Sequence, residues 1–250
     1  MNLFVLLLII FLSSFILTMV GLGGGLIFSP LFVLLDFPKN VAVSASLFLN
    51  GIAAASAAYI YIKKKMVDFS ISLPLIITSS LGAPLGALTT HRIHLRLFMG
   101  IMALVIFLAA LRMLFSKQLK SRKEGSSRLT RIIAGGLIGL VIGFIAGLLG
   151  IGGGVFIVPL LIYFLGIPTK SAAATSIFIV CFSSFVGFAT HASIGAIDWK
   201  FILPAALFSF AGGQIGSWIM SEKLKGRTIR IIFGVVLLLF SAKLILRAFI

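Results

Sequence analysis

The sequence predicts an all-α polytopic membrane protein built from two homologous four-segment repeats, about eight membrane helices in all. Each repeat opens with a broken or re-entrant helix that glycines interrupt. The 250 residues are 60% hydrophobic and only 10% charged, whereas a soluble domain is about a quarter charged. The mean hydropathy is +1.25, and most apolar runs are roughly 18 to 23 residues long, enough for a helix to cross a hydrocarbon core of about 30 Å. Three consecutive glycines recur at matching places in the two halves of the chain.

Apolar segments alternate with short polar connections along the whole chain. Residues 2–20 carry no Lys or Arg before the apolar run and no small-residue cleavage site after it, so we interpret them as a retained first segment. The segments are 2–20, 26–36, 41–62, 69–90, 95–115, 132–149, 155–166, 171–192, 199–220 and 228–249.

A basic, Ser-rich stretch, residues 116–131, divides the chain near its midpoint. We therefore divide the chain into a first membrane repeat (1–115), this linker and a second membrane repeat (132–250). Cytoplasmic connections are enriched in Lys and Arg. The linker is accordingly predicted to be cytoplasmic, in a multi-pass protein of the inner cell membrane that has the lipid bilayer as its surroundings.

The halves repeat at offsets of 129 and then 130 residues. Gly23–Gly25 and Pro30 match Gly152–Gly154 and Pro159, and the offset of 130 begins after one extra residue. Further matches at the second offset pair 38 with 168, 46 with 176, 68 with 198, and 82 and 86 with 212 and 216. Matches at proline, glycine and aspartate indicate an internal duplication.

The sequence leaves two topologies open. If each glycine-interrupted unit (2–36 and 132–166) is one full crossing, the repeats are parallel. If each unit turns at the glycines and leaves on the side it entered, the repeats are inverted. The inverted arrangement leaves about six basic residues outside, including Lys39, Arg92 and Lys200, against about eight for the parallel one, so the positive-inside rule favours inversion.

The glycine triplets are the strongest candidates for a binding site. Three glycines in a row interrupt a helix, since each costs about 1 kcal/mol in a helix interior. A helix that begins just after Gly25 or Gly154 would expose its first N–H groups and the positive end of its dipole, which attract anions. Pro30 and Pro159 remove one donor each and can kink the short helices that follow. The alternative role for these glycines is close helix packing, which is the role we assign to the ridge at residues 135, 139, 143 and 147.

Polar side chains in the following segments are the next candidates for binding the solute. Ser46 has Ser176 as its counterpart, Thr175 precedes Ser176, and Asn50 lies one helical turn after Ser46. Their hydroxyl and amide groups can donate to an oxyanion, although Ser and Thr also bond back to the preceding turn. Gln214 is an amide inside an apolar segment and needs either a helix or the solute as a partner.

Several other function classes are excluded or disfavoured. The net charge of +16 comes from basic residues in short connections, so we expect no nucleic-acid binding. The single cysteine, Cys181, permits no internal disulfide and makes a metal site unlikely on residue types alone. No constellation for nucleophilic catalysis and no phosphate-binding loop is visible, so we predict neither an enzyme nor a cofactor. The carboxylates fall at segment ends or in the linker, and His191 is the one histidine deep enough for a gating or proton role.

These motifs together resemble the sulfite exporter TauE/SafE family of membrane permeases. The resemblance rests on the paired Gly-x-Gly-Gly-Gly-x4-Pro signature, on Thr175-Ser176, and on the run from His191 through Gly195 to Asp198-Trp199. It covers essentially the whole chain and implies about eight membrane helices and transport of a small sulfur-containing anion. The first repeat departs from the pattern, with Ala45 in place of the threonine and Tyr61 in place of the histidine.

The sequence therefore predicts a permease for a small anion, exporting sulfite or an organosulfonate. We expect binding between the repeats, at the N–H groups after the two glycine triplets. A passive anion channel and a non-transporting scaffold or assembly protein stay open as alternatives. The solute, the energy coupling and the oligomeric state are not predicted. The residues expected to line the site are Gly23, Gly24, Gly25, Ser46, Asn50, Gly152, Gly153, Gly154, Thr175, Ser176 and Gln214.

Overall fold

The computed structural model describes residues 3–90, 92–115, 128–163, 165, 167–192 and 199–223, with short pieces between 235 and 246. The regular structure in these residues is α-helical throughout. The helices of residues 3–222 are α1 (Leu3–Val20), α2 (Gly25–Leu34), α3 (Lys39–Lys63), α4 (Phe69–Thr90), α5 (Leu95–Phe115), α6 (Arg128–Leu149), α7 (Gly154–Tyr163), α8 (Thr169–Ala192) and α9 (Trp199–Glu222).

Five of the described helices are long and apolar enough to cross a membrane, namely α1, α3, α4, α8 and α9. The all-helical, multi-pass prediction is confirmed to that extent. The ends of α1 to α9 lie within a few residues of the sequence segments, because each apolar run is bounded by polar or helix-breaking residues. Helix α6 begins at Arg128, inside the basic stretch 116–131 that divides the two halves. Most of the last segment, 228–249, lies outside the described residues.

Helices α3 and α8, which are counterparts in sequence, run antiparallel through the centre of the molecule. Asn50 Nδ2 donates to Ser184 Oγ at 2.7 Å, and the rings of Phe48 and Phe188 are 4.8 Å apart between centroids. Residues later in α3 therefore contact residues earlier in α8. Most of α3 is buried, including Asn50.

Each long arm of a glycine-interrupted unit packs on a helix of the other half. Gly212 and Gly216 of α9 lie against the backbone of Phe11 and Phe15 in α1. In the same way, two glycines of α4, at 82 and 86, lie against the α6 backbone at 140 and 144. These close approaches explain why small residues recur there. The order of the contacts makes α1 parallel to α9 and α6 parallel to α4.

The chain reverses direction at each glycine interruption. α1 runs with α9, but α2 returns to the beginning of α9, where Phe32 packs edge-to-face on Phe201 with ring centroids 5.6 Å apart. α6 runs with α4, but α7 leads back to the beginning of α8. Each unit therefore begins and ends on one side of the helix bundle, and the two units do so on opposite sides.

We name the two sides by the residues they hold. The first face holds the beginnings of α3, α5 and α9, and the second face holds the end of α3 and the beginnings of α4 and α8. On the second face Lys64 Nζ forms an exposed ion pair with Glu222 Oε1 at 2.8 Å, and Lys170 Nζ donates to the Ser221 carbonyl at 3.4 Å. On the first face Lys39 Nζ donates to the carbonyl of Ile93.

Candidate functional site

Both glycine interruptions are left-handed turns buried inside the protein. Gly21 and Gly23 have φ of 86° and 70°, and Gly150, Gly152 and Gly153 have φ of 73°, 77° and 76°. L-residues rarely adopt these angles, so glycine is required for the helices to stop here. Residues 21–30 and 150–155 are buried. Non-helical backbone at this depth is tolerated only inside protein or beside a cavity.

The two interruptions lie directly against each other. A Cβ at Gly25 would lie 2.9 Å from the Gly150 carbonyl oxygen, and one at Gly154 would lie 2.9 Å from the Gly21 carbonyl oxygen. These contacts are equivalent at the offset of 129 residues. We call residues 21–25 and 150–154 together the crossing. Because each Cβ would meet backbone, no larger residue fits at either position without moving the chain.

Two serines stabilise the crossing in equivalent ways. Ser46 Oγ on α3 donates to the Gly150 carbonyl at 2.7 Å, and Ser176 Oγ on α8 donates to the Gly21 carbonyl at 2.7 Å. Both serines are fully buried. A buried carbonyl without a donor costs free energy, so these hydroxyls help the chain to stay non-helical in an apolar interior.

Asn50 contacts both interruptions at once. Its Oδ1 accepts from the Gly25 N–H at 2.8 Å, and its Nδ2 donates to Ser184 Oγ. A Cβ at Gly23 or at Gly152 would overlap the Asn50 amide. The side chain is fully buried. Asn50 thus satisfies the first amide of α2 and holds the centre of the crossing.

The second interruption has no such amide. Val180 stands where a residue equivalent to Asn50 would be, and Ala54 is the counterpart of Ser184. All four side chains are fully buried. Within the part of the chain that the structure describes, the Gly154 N–H at the beginning of α7 meets no side-chain acceptor. The two helix N-termini are therefore unlike: the first amide of α2 is capped by Asn50, and that of α7 has no side-chain acceptor among the described residues.

The end of α6 is satisfied by side chains from four helices. The carbonyls of Gly147, Leu148, Leu149 and Gly150 contact His191 Nε2 at 3.1 Å, Thr90 Oγ1 at 2.9 Å, Ser29 Oγ at 2.5 Å and Ser46 Oγ at 2.7 Å, respectively. The last carbonyls of a helix have no partner within it. This set answers that need at a buried helix end.

His191 occupies a place equivalent to that of Tyr61. Tyr61 Oη donates to the Thr18 carbonyl at 2.8 Å, and His191 Nε2 lies 3.1 Å from the Gly147 carbonyl. Thr18 and Gly147 match at the offset of 129. Since a carbonyl accepts, Nε2 carries the proton. The imidazole is buried and joins α8 to the end of α6.

The structure brings most of the predicted residues together, but not Thr175 and Gln214. Thr175 Oγ1 accepts from the Asp68 N–H at 3.0 Å, at the connection between α3 and α4. Gln214 lies on α9 one turn from Phe210 and from Trp218, which are 49% and 43% exposed, but its own Oε1 is buried and has no hydrogen-bond partner among the described residues. Pro30 and Pro159 lie inside the short helices α2 and α7.

Sequence reasoning missed three residues of this region, Ser29, Thr90 and Ser184. Ser29 and Thr90 bond to the end of α6, and Ser184 bonds to Asn50. Each is a hydroxyl in an apolar segment, as are many others in this chain. Only the reversal of the chain at the glycines tells which of them meet the crossing, so the sequence carried no distinguishing signal.

Comparison with known proteins identifies the family of this chain. The family model described as sulfite exporter TauE/SafE matches residues 6–244. The chain belongs to this family. TauE/SafE relatives include the probable membrane transporter protein YunE of Bacillus subtilis, 30% identical over 251 residues and covering 91% of this chain and 92% of that protein. A probable membrane transporter protein of Haemophilus influenzae is 27% identical to this chain, and the match covers 94% of this chain and 91% of that protein.

The similarity extends to archaea. The probable membrane transporter protein MJ0441 of Methanocaldococcus jannaschii is 24% identical to this chain, and the match covers 87% of this chain and 85% of that protein. No solved structure matches the chain. This TauE/SafE protein is accordingly a multi-pass membrane transporter by family and by its apolar helices.

Proposed function

We propose that this protein is a permease that moves a small anion outward across the inner cell membrane, with sulfite or an organosulfonate as the solute. The observation that carries the proposal is the crossing, where two half-helices begin beside each other inside the protein. Their first N–H groups and positive dipole ends favour negative charge without a buried Lys or Arg. The name of the family adds sulfite as the first anion to test.

The unlike N-termini assign different roles to the two halves of the crossing. The Gly25 N–H is taken by Asn50 Oδ1, so an anion there must displace an amide oxygen. The Gly154 N–H has no such competitor among the described residues. We therefore place the anion at the beginning of α7, approached closely by Gly152–Gly154, with Asn50 as its competitor for the neighbouring Gly25 N–H. Ser46 and Ser176 hold the carbonyls of the crossing beside it.

The same proposal includes the architecture. Two inverted repeats, residues 1–115 and 132–250, would share the crossing and be joined by a cytoplasmic linker. Three features support it: the antiparallel course of α3 and α8, the reversal of the chain at both glycine triplets, and the equivalent bonds of Ser46 and Ser176. In such transporters one repeat moves against the other around a central site.

The direct test measures sulfite efflux from proteoliposomes that contain the purified protein. Gly154→Ala should abolish efflux, because the new Cβ would lie 2.7 Å from the Cα of Leu22. Gly100→Ala is the matched control, since a Cβ there meets nothing within 4 Å. Membrane insertion and yield should be equal for the two variants.

Three results would count against the proposal. Efflux retained by the Gly154→Ala protein would remove the crossing from the transport path. Flux that rises linearly with sulfite and ignores every ion gradient would indicate a passive channel. No flux with sulfite, sulfonates, sulfate or carboxylates would favour a scaffold or assembly protein.

A further inference from the structure

A cavity of about 330 Å³ lies on the first face, where α2 ends and where α3 and α5 begin. This volume is at the small end of the range for ligand sites. The cavity is at the opposite end of α2 from the crossing, so it is a separate place in the molecule. Its apolar wall comes from Val33, Phe37, Leu95 and Met99, and its polar lining from Asp36, Lys39 and Asn40.

Asp36 is held in a conformation that suits glycine better than aspartate. It has φ of 63° in the turn that ends α2, where the Phe37 N–H donates back to the Phe32 carbonyl at 3.0 Å. The counterpart at the offset of 130 is Gly166, the residue that normally ends a helix in this way. A non-glycine residue at positive φ costs conformational energy and often marks a functional site. The first repeat thus has a carboxylate at a position where glycine would make the turn more stable.

Lys39 brings a positive charge to the same cavity. Its Nζ donates to the Ile93 carbonyl, which ties the first residue of α3 to the connection before α5. An ammonium group has three donors, so this bond leaves donors for an oxyanion. Opposite charges three residues apart therefore line one cavity beside an apolar wall.

We propose that this cavity binds a small organic zwitterion, a molecule with one ammonium and one carboxylate or sulfonate group on a short hydrocarbon chain. The Asp36 carboxylate accepts from its ammonium, Lys39 Nζ donates to its oxyanion, and the Asn40 amide can serve either end. Phe37 and Met99 contact the hydrocarbon. The cavity lies apart from the crossing, so this site does not depend on the proposed transport function.

Equilibrium dialysis of the purified full-length protein against radiolabelled 3-aminopropanoate tests the proposal. Propanoate and propylammonium, which carry one charge each, are the comparison ligands. We expect saturable binding of 3-aminopropanoate and at least about tenfold weaker binding of either comparison ligand, the effect of losing one charge-assisted hydrogen bond. Lys39→Gln should weaken binding of 3-aminopropanoate to the same degree. Lys63→Gln, which changes an exposed lysine at the end of α3 on the second face, makes the same change of charge away from the cavity and should change nothing.

Asp36→Gly separates loss of the ligand from damage to the fold. Glycine suits the left-handed turn, so this variant should unfold at an equal or higher temperature than the original protein and yet lose the zwitterion. Unchanged binding in Asp36→Gly or in Lys39→Gln would overturn the proposal. So would propanoate binding as tightly as 3-aminopropanoate, or no saturable binding of any of the three ligands.

Discussion

Asn50 offers the sharpest test of how the crossing handles an anion. Its Oδ1 accepts from the Gly25 N–H at 2.8 Å and its Nδ2 donates to Ser184 at 2.7 Å. Asn50→Val copies the residue of the second repeat and leaves both partners unsatisfied. Each orphaned buried group costs about 1–3 kcal/mol, and bonds between membrane helices are often weaker. We expect a loss of about 1–3 kcal/mol in unfolding free energy.

The effect on solute affinity should go the other way. With Asn50→Val the Gly25 N–H is free to bind the anion, so KM for sulfite should fall. With Asn50→Asp a carboxylate holds the same N–H, and charge-assisted bonds are about twice as strong as neutral ones. If the Gly25 N–H binds the carboxylate about 1.4 kcal/mol more strongly than it binds the amide, and the carboxylate also repels the anion, KM rises by about tenfold or more.

The assay is the initial rate of sulfite efflux from proteoliposomes over a range of internal sulfite concentrations. Ser56→Ala is the matched control, because Ser56 is 2% exposed, lies on the same helix and, among the described residues, bonds to the Ala53 and Phe210 carbonyls rather than to the crossing. It should lose stability with KM unchanged. If valine and aspartate at position 50 shift KM in one direction, or if neither shifts it, the anion does not compete with Asn50.

Three further predictions concern the crossing and the course of the chain. Ser46→Ala and Ser176→Ala should each lower the unfolding free energy, measured by chemical denaturation in detergent, by about 1–2 kcal/mol, because each leaves one buried carbonyl without its donor. A loss in one variant alone would show that the two bonds are not equivalent. His191→Phe should lower the unfolding free energy by about 1–2 kcal/mol, because the bond to the end of α6 is lost. His191→Gln keeps a donor and should retain most of that free energy. Equal losses in the two variants would assign the imidazole another role. In a protein whose one cysteine is changed to serine, a cysteine introduced at Lys200 should react with an impermeant maleimide from outside the cell, and one introduced at Lys223 should not. The reverse pattern, labelling at 223 and not at 200, would contradict the inverted arrangement.

The sequence predicted the helices well because a membrane segment must hide every backbone polar group. Apolar length alone places the end of α1 at Val20 and the beginning of α4 at Phe69. The glycine triplets were also predicted as interruptions, since their cost inside a helix is intrinsic to the residue. The ridge of α6 packs as expected, with Gly139, Gly143 and Gly147 against α4.

The direction of the chain after each interruption was not decided by the sequence. A helix that turns back and a helix that continues have the same apolar composition, and only the basic residues at the ends distinguish them. The partners of the polar side chains depend on that direction. Thr175 was therefore grouped with Ser176, although its hydroxyl accepts from the Asp68 N–H instead. Gln214 was included for its amide, and the Oε1 of that amide is buried without a hydrogen-bond partner among the described residues.

The four donors at the end of α6 bear on how the molecule would change shape. Freeing that helix end requires bonds to α2, α3, α4 and α8 to break together, whereas at the end of α1 the described side chains supply Tyr61 and Ser176 from two helices. A swing of the N-terminal hairpin, α1 and α2, would in addition break the bonds of Ser14, Gly25 and Ser29 to α9, α3 and α6. Both hairpins are therefore tied to the same central bonds, and neither can swing without exchanging several of them at once.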